Sequence, residues 1–447
     1  MPALHHRSER GQALVLIVLG IIGLIGITAL SIDGGNAFMD RRRAQNAADT
    51  AAMAAGLAKV RQLPNVIPAD AWKQAGYDRA TSNGYEQNGV QTSVVVYRCD
   101  EAGAGCVLPA GVTLSEYVEV KITSTVKTWF APVIGIQQVT NKVEAVAKAM
   151  PPEPTSWYNG AALAAIMPGC KTPGWPNDPF TVSGGSVTVV TGAGNVFVNS
   201  DCPDAYTQGG SSSLTSEAGT CVVGGATSTN TDPPPTHNCS QVSLQKYLLP
   251  NPVCSGPGSI KDTGGNNYVA SPGTYNGRFP SVSPAGTLKL QKGIYCFKNG
   301  VSLHGSWHIT TDLNDNGAYD SNEGVMFFVE GGGIDINGDV SSYLHAITCH
   351  GCGLDDSLVG YLIYLPPTNS STVSLEGGSD THFIGTILAP ASLVSLSGGN
   401  SSDDSLNLGC QIIGYSVKLT GNGTLNISYN ESEVATTWIN PELLPYK

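Results

Sequence analysis

Residues 11–32, GQALVLIVLGIIGLIGITALSI, decide the fold, because they form a long apolar run without a charged residue. As an α-helix this run is roughly 33 Å long at 1.5 Å per residue, which is enough to cross the hydrocarbon core of a bilayer. A secretory leader would have a shorter apolar run and a small-x-small cleavage site, whereas this chain continues as SIDGGNAFMDRRRAQNAADTAAMAAGLAKV. The sequence therefore predicts a retained transmembrane anchor.

The residues after the anchor are rich in alanine, which is the strongest helix former. We expect the membrane helix to continue past Gly34 and Gly35 to about residue 61, where Pro64 and Pro68 stop it. Residues 1–61 are thus predicted to form a cytoplasmic tip, the anchor and a helical extension.

Charge and cysteine usage indicate where the remainder of the chain lies. Residues 1–61 hold seven basic and four acidic residues, and the rest of the chain holds 16 basic and 31 acidic ones. Such an acidic body repels phosphate backbones, so we expect no nucleic-acid partner. Arginines flank the anchor on both sides, and the positive-inside rule does not decide its orientation. All eleven cysteines follow the anchor, which is typical of disulfides, with one thiol left over, in an oxidising compartment. A single-pass protein of the cytoplasmic membrane with an extracytoplasmic C-terminal part is predicted.

Residues 62–150 are predicted to form a small α+β domain. Residues 69–84 have the pattern of a short helix, and the segments QTSVVVYR, SEYVEVKITSTVKTWF and QQVTNKVEAVAKA alternate as three strands. Cys99 and Cys106 flank the turn DEAGAG, whose glycines allow the close approach that a disulfide between them requires. The proline-rich stretch PPEPTSWYNG then marks a domain boundary.

Residues 151–447 are predicted to form a glycine-rich, mainly β domain. Short alternating strands recur about every 20 residues, as in FTVSGGSVTVVTGAGNVFVNS and GTLKLQKGIYCFKNGVSLHG. This period is typical of a parallel β-helix, or solenoid, in which each coil is buried against its neighbours. An antiparallel β-sandwich remains the alternative, because alternation cannot assign strand direction. Residues 207–257 lack the pattern, and we expect them to form a long surface loop tied by cysteines.

The segment DLNDNGAYDSNE has the spacing of a twelve-residue calcium loop, D-x-[DN]-x-[DN]-G-x5-E. A hard cation needs six to eight oxygen ligands, and this pattern supplies them from side chains and one carbonyl. The flanks read as strands, so we expect a structural Ca²⁺ site and not a helix–loop–helix sensor. The predicted ligands are Asp312, Asn314, Asn316, the carbonyl of Ala318, Asp320 and bidentate Glu323.

Catalytic motifs are absent from the sequence: it has no P-loop, no serine nucleophile elbow, no dinucleotide fingerprint and no carboxylate pair in an apolar setting. We therefore predict that the protein is not an enzyme. The alternative is a membrane-tethered glycan-binding or polysaccharide-processing β-helix protein, since a site can lie on a solenoid face. The scattered single basic residues favour the structural reading.

The N-terminal segment resembles TadE/TadG-like, Flp or tight-adherence pilus-assembly proteins. The resemblance rests on R-G-Q-A before the apolar run, Asp33 and Gly35 after it, and the alanine-rich run AQNAADTAAMAAG at 44–56, and it extends over about 50 residues. It implies a bitopic or pilin-like component of a pilus system, with a pilin-like α+β domain, that works by insertion and assembly. The implied partners are the lipid bilayer, other pilus or secretion-system subunits and further copies in an extracellular filament. An adhesive role at the cell surface would add surface glycans.

Overall fold

The computed structural model of the chain describes residues 10–61, 70–87, 89–175, 177–184, 188–227, 230–254, 256–337, 340–377, 381–399 and 405–446. The predicted cytoplasmic tip and the prolines Pro64 and Pro68 lie outside these residues. The chain divides into two compact units, Met1–Glu153 with Asn440–Lys447, and Pro154–Ile439.

The first unit begins with one long helix, α1, which runs without interruption from Arg10 to Arg61. It contains both the apolar run and the alanine-rich extension, so the predicted continuation of the anchor as one helix is confirmed. Gly34 and Gly35 lie inside it without breaking its hydrogen bonding.

A second helix and three strands complete most of the first unit, and they lie within the predicted segments, except that the third strand continues one residue further, to Met150. Helix α2 is short, and the strands pair in chain order as antiparallel neighbours, with Tyr117 opposite Lys148 and Lys127 opposite Gln138 at the two ends of the longest ladder. The elements are α2 Trp72–Ser82, β1 Thr92–Arg98, β2 Tyr117–Lys127 and β3 Gln138–Met150. Alternate valines and isoleucine of β1 and β2, such as Val96, Val120 and Ile122, face the helices and are buried.

The second unit is mainly β structure, as the sequence predicts, and it is built from many short strands. They are β4 Glu153–Ser156, β5 Ala161–Ala165, β6 Phe180–Val182, β7 Thr188–Thr191, β8 Asn195–Val198, β9 Tyr206–Gln208, β10 Ser213–Ser216, β11 Thr220–Val222, β12 Ala226–Thr227, β13 Thr231–Asp232, β14 Thr236–His237, β15 Ile260–Gly264, β16 Asn267–Ala270, β17 Gly273–Tyr275, β18 Thr287–Leu290, β19 Gly293–Phe297 and β20 Val301–Leu303. The series continues with β21 His308–Thr310, β22 Val325–Val329, β23 Ile334–Ile336, β24 Ser341–His345, β25 Tyr361–Tyr364, β26 Val373–Glu376, β27 Thr381–Ser397, β28 Ser405–Thr420, β29 Thr424–Ile427, β30 Thr436–Ile439 and, in the first unit, β31 Glu442–Pro445.

Strands β5 to β29 belong to one large sheet whose pairings are mostly parallel. A strand typically pairs with the strand three positions along the chain: β18 with β21 and β21 with β24, β19 with β22, and β20 with β23. The 17-residue strand β27 pairs in turn with β24, β25 and β26, so it covers three successive ladders. The antiparallel pair β15 and β16 is an exception. A sandwich would require antiparallel pairs throughout.

The ladders do not follow the order of the chain from end to end. β28 pairs in parallel with β27 on one side and with β5 and β6 on the other, and β29 pairs with β7. The last strands of the sheet therefore lie against its first strands, and β8 to β14 continue beyond them. One apolar core, which includes Phe180, Tyr206, Phe297, Phe327 and Phe383, runs through the unit.

Two predicted boundaries differ from the structure. Residues 207–257 were expected to form a loop, but residues 206–237 form the short strands β9 to β14 and pair with earlier strands. Their two- to four-residue length and their Ser, Thr and Gly content hide the alternation. The domain 151–447 was expected to include the C-terminus, but β31 pairs with β3 through Ala147 and Pro445 and so joins the first unit.

Candidate functional site

The N-terminal half of α1 presents apolar side chains on all its faces. Leu16, Leu24 and Ile27 are each 67–69% exposed. In the described part of the chain this is the one helix that is long and apolar enough to cross a membrane. Its two hydroxyl side chains, Thr28 and Ser31, donate to the carbonyls one turn before them, at 2.8 Å each. No polar group of these side chains is therefore left without a partner in an apolar medium.

The C-terminal half of α1 packs on the sheet of the first unit through a stripe of small residues, the alanine seam, which recurs every three or four positions along one helix face. The seam consists of Ala44, Ala47, Ala48, Ala51, Ala52 and Ala55, each with at most 1% of its surface exposed. Gly76 of α2 meets the same stripe, and a Cβ there would lie 3.1 Å from the Cβ of Ala55. Small side chains on both helices thus permit a close approach of their backbones.

Asp40 connects α1 to the sheet through hydrogen bonds at the N-terminal end of the alanine seam. Its carboxylate accepts hydrogen bonds from Ser124 Oγ at 3.1 Å and Asn141 Nδ2 at 2.7 Å. It also accepts one from Tyr85 Oη at 3.1 Å. Burial, with the nearby charge of Asp40, raises the pKa of Tyr85 to about 12, so this hydroxyl remains a donor at neutral pH. Asn141 also donates to the carbonyl of Ala37 at 3.0 Å.

Asp33 makes a second attachment, close to the end of the apolar run. It is 5% exposed, and its carboxylate accepts from the backbone N–H groups of Trp129, Phe130 and Ala131 at 2.8, 2.9 and 2.6 Å. The sequence indicated Asp33 only through its family resemblance and gave Asp40 no role. Both acids lie on the face of α1 that continues as the alanine seam, because Asp40 is seven positions and Ala44 eleven positions after Asp33. This helical periodicity could have identified the two acids as members of the buried face.

The predicted calcium loop lies between β21 and β22, and Val325 begins the strand that the sequence placed after it. The two terminal carboxylates are buried: Asp312 is 8% exposed and Glu323 is 2% exposed. Asp315 and Gly317 have φ values of 58° and 70°, which allow the sharp bend in the middle of the loop.

Backbone and side-chain hydrogen bonds connect all six predicted ligand residues. Asp312 accepts from Gly317 N at 2.7 Å and from Asn316 N at 3.2 Å. Glu323 accepts from Leu313 N at 2.8 Å and from Asp320 N at 3.2 Å. A further set of bonds joins the middle of the loop, in which the side-chain amides of Asn314 and Asn316 donate to Asp320, and the side-chain oxygen of Asn316 accepts from Ala318 N.

The electrostatics of the loop keep its buried acid ionised. Burial opposes ionisation of Asp312, but the N–H groups of Gly317, Asn316 and the two residues before them together lower its pKa below the ordinary value. Lys289 pairs with Asp315 at 2.6 Å. In the part of the chain that the structure describes, neither Asp312 nor Glu323 forms an ion pair with a basic side chain.

The spacing of the acids in the loop is wider than that of a closed metal site. In the described residues, one group of three His, Cys, Asp or Glu side chains brings its ligand atoms within 4.8 Å of each other: Cys170, Cys202 and Asp204. Its two cysteines are disulfide-bonded, so it is not a metal site. The carboxylate oxygens of Asp312, Asp320 and Glu323 do not all lie within 4.8 Å of one another.

All eleven cysteines lie within the described residues, and ten of them are bonded. Cys99 and Cys106, the predicted pair, are joined across the first hairpin turn with their Cα atoms 5.7 Å apart. The leftover thiol is Cys410, whose pKa is raised by complete burial. The other bonds are Cys170–Cys202, Cys221–Cys239, Cys254–Cys296 and Cys349–Cys352.

Comparison with known proteins gives one match. Residues 11–59, which include the apolar run and the alanine seam, match the family model described as "Putative Flp pilus-assembly TadE/G-like". No curated protein and no solved structure matches the chain.

Proposed function

We propose that this chain is a membrane-anchored component of a Tad or Flp pilus system and that it acts by assembly and not by catalysis. The proposal starts from the TadE/G-like residues 11–59. The observation that carries this proposal is the division of α1 into two halves. Its apolar half is exposed on all faces, whereas its alanine-rich half is packed on the sheet of the first unit. A single rigid helix therefore connects the bilayer to a folded unit.

The proposal places the second unit outside the cytoplasm as a parallel β-helix with a structural or adhesive role. The parallel pairings at an interval of three strands support a three-ladder β-helix. The five disulfides support an oxidising compartment. A β-helix offers long, regular outer faces, which are suited to contact with a surface.

The assembly role predicts direct contact between α1 and another pilus subunit within the membrane. A photoreactive p-benzoylphenylalanine in place of Leu24, which is 67% exposed, should cross-link in native cells to a subunit of the same pilus system. The control is the same amino acid in place of Val253, which is 76% exposed in the second unit. Mass spectrometry identifies the product. Cross-links from position 24 to lipid alone, or to proteins outside the pilus system, would contradict an assembly role.

We also propose that the loop 312–323 holds a structural Ca²⁺ ion. Its side chains and the carbonyl of Ala318 supply the oxygen ligands that calcium prefers. The burial of the carboxylates of Asp312 and Glu323, which form no ion pair among the described residues, supports a cation there. Binding would require the amides of Asn314 and Asn316, which now donate to Asp320, to turn their oxygens toward the ion.

Calcium is expected to raise the melting temperature of the second unit. At a free calcium concentration 100 times the dissociation constant, binding contributes about 2.7 kcal/mol to stability. This corresponds to a shift of roughly 5 °C or more in calorimetry between calcium and chelator. The Asp312→Asn/Glu323→Gln variant should lose the shift, while Asp315→Asn, which removes a charge of the same loop but no predicted ligand, should keep it. A shift that survives in the double variant would rule out the loop as the site.

A further inference from the structure

The turn between β2 and β3 is an apolar surface that the proposed function does not use. Residues 128–136, TWFAPVIGI, contain no charged side chain. The most exposed members are Trp129 at 78%, Val133 at 91% and Ile134 at 66%, with Phe130 and Ile136 at 45% each. We call these nine residues the apolar turn. Large apolar side chains grouped in this way on a surface mark a contact with an apolar partner.

The apolar turn lies alongside the membrane-spanning half of α1. Phe130, Ala131, Val133 and Ile134 line one groove together with residues of the helix between Ile22 and Leu30. Ile22 and Leu30 are eight positions apart, which corresponds to about 12 Å along the helix axis. A segment in contact with them is at the depth of the hydrocarbon core whenever the helix spans a bilayer.

Asp33 fixes the apolar turn in this position. Its carboxylate accepts three consecutive backbone N–H groups of the turn, so the first residues of the turn cannot move away from α1 without breaking all three bonds. Such hydrogen bonds to an ionised acceptor are stronger than neutral ones.

Four further backbone donors of the apolar turn are also satisfied within the protein. Thr128 N donates to Gln137 O, Val133 N to Phe130 O, Gly135 N to Pro132 O and Ile136 N to Ala131 O, at 3.0–3.2 Å. Pro132 has no N–H group. The Thr128 hydroxyl donates to Ile136 O at 2.6 Å. An unpaired backbone polar group is costly in an apolar medium, so these internal bonds lower the free-energy cost of placing the turn against lipid.

We propose that the apolar turn inserts into the outer part of the bilayer beside α1, so that the first unit is held to the membrane at two points. The inference rests on the membrane anchor of the proposed function. Trp129 would lie near the headgroups, where tryptophan is enriched. Exposed Arg41 follows the apolar half of α1 along the chain, and exposed Lys127 and Lys142 lie on either side of the apolar turn in the sequence. These three cations would meet lipid phosphates. The occupant of this surface is therefore lipid and not a second copy of the chain.

Fluorescence quenching by brominated lipid tests the insertion. The full chain is reconstituted into phosphatidylcholine and phosphatidylglycerol vesicles with or without bromine on the acyl chains. The emission that depends on Trp129, obtained as the difference between the protein and Trp129→Phe, should fall severalfold in brominated vesicles. The matched control is Trp438→Phe, which lies in the second unit and should leave the quenched component unchanged. Asp33→Ala should reduce the quenching, because it releases the apolar turn.

Flotation of the same vesicles separates the two proposals. Protein that does not float with the vesicles overturns the anchor and with it the insertion. Protein that floats, with a Trp129 emission that bromine does not quench, overturns the insertion alone. Emission that is unquenched but shifts to shorter wavelength as protein concentration rises would show that another copy covers the apolar turn, and this also overturns insertion into lipid.

Discussion

Replacing Leu19 and Ile22 together with arginine is expected to release the protein from the membrane. Both side chains are 60% exposed on the apolar half of α1, so a charge introduced at either position would face the lipid. Each arginine near the centre of a spanning helix costs about 2.5–3.5 kcal/mol of insertion free energy, so the pair costs roughly 5–7 kcal/mol. The measurement is the fraction of the chain that remains in the membrane pellet after alkaline carbonate extraction.

The matched control is Leu19→Ala/Ile22→Ala, which alters the same positions but keeps them apolar. This variant should remain in the pellet. Because both substituted side chains lie on the apolar half of α1 and outside the alanine seam, the folded units should retain their melting temperatures in both variants. Retention of the double arginine variant in the pellet would mean that another part of the chain holds it to the membrane.

The second large effect is expected from overfilling the alanine seam. Ala48 and Ala51 are completely buried in the core of the first unit, so the double substitution Ala48→Leu/Ala51→Leu has no space for its added atoms. Overpacking costs about 1–3 kcal/mol per site, and the two sites are too close to be independent. We expect a loss of roughly 3–5 kcal/mol in the free energy of unfolding of the first unit. In calorimetry of the full chain in detergent, its melting temperature should fall by roughly 5–15 °C.

Ala54 provides a control with the same chemistry. It lies on the same stretch of α1 but is only partly buried. Ala54→Leu should change the melting temperature of the first unit by no more than a few degrees, and neither variant should affect the transition of the second unit. Equal effects of the two variants would show that the buried face of α1 is not the one that the alanine seam defines.

The elements of the fold could be predicted where a local pattern determines them. The apolar run, the alanine block and the strands of the first unit depend on composition and on short periods, which are visible in the sequence. The partners of the strands in the second unit could not be predicted in the same way. Nothing in the alternation of β28 indicates that it pairs with β5, more than 200 residues earlier. The same holds for β31, whose four residues return to β3.

The candidate site shows the same division between local and distant information. The calcium loop could be proposed because all its predicted ligands lie within twelve residues. Asp33 and Asp40 could not be assigned partners, because those partners lie 45 to 101 residues away along the chain: residues 129–131 for Asp33, and Tyr85, Ser124 and Asn141 for Asp40. From the sequence alone, each acid has the pattern of an exposed helix residue, and only the contact with the sheet region shows its partners.

The most direct test of the anchored topology uses the lysines, since no lysine precedes Lys59. Spheroplasts that contain the full chain are treated with a membrane-impermeant amine reagent, and the labelled residues are identified by mass spectrometry. Lys171 and Lys298, whose side chains are 52% and 45% exposed in the second unit, should be labelled in intact spheroplasts while a cytoplasmic marker is not. Labelling of these lysines only after lysis would contradict an extracytoplasmic β unit on a membrane-spanning helix.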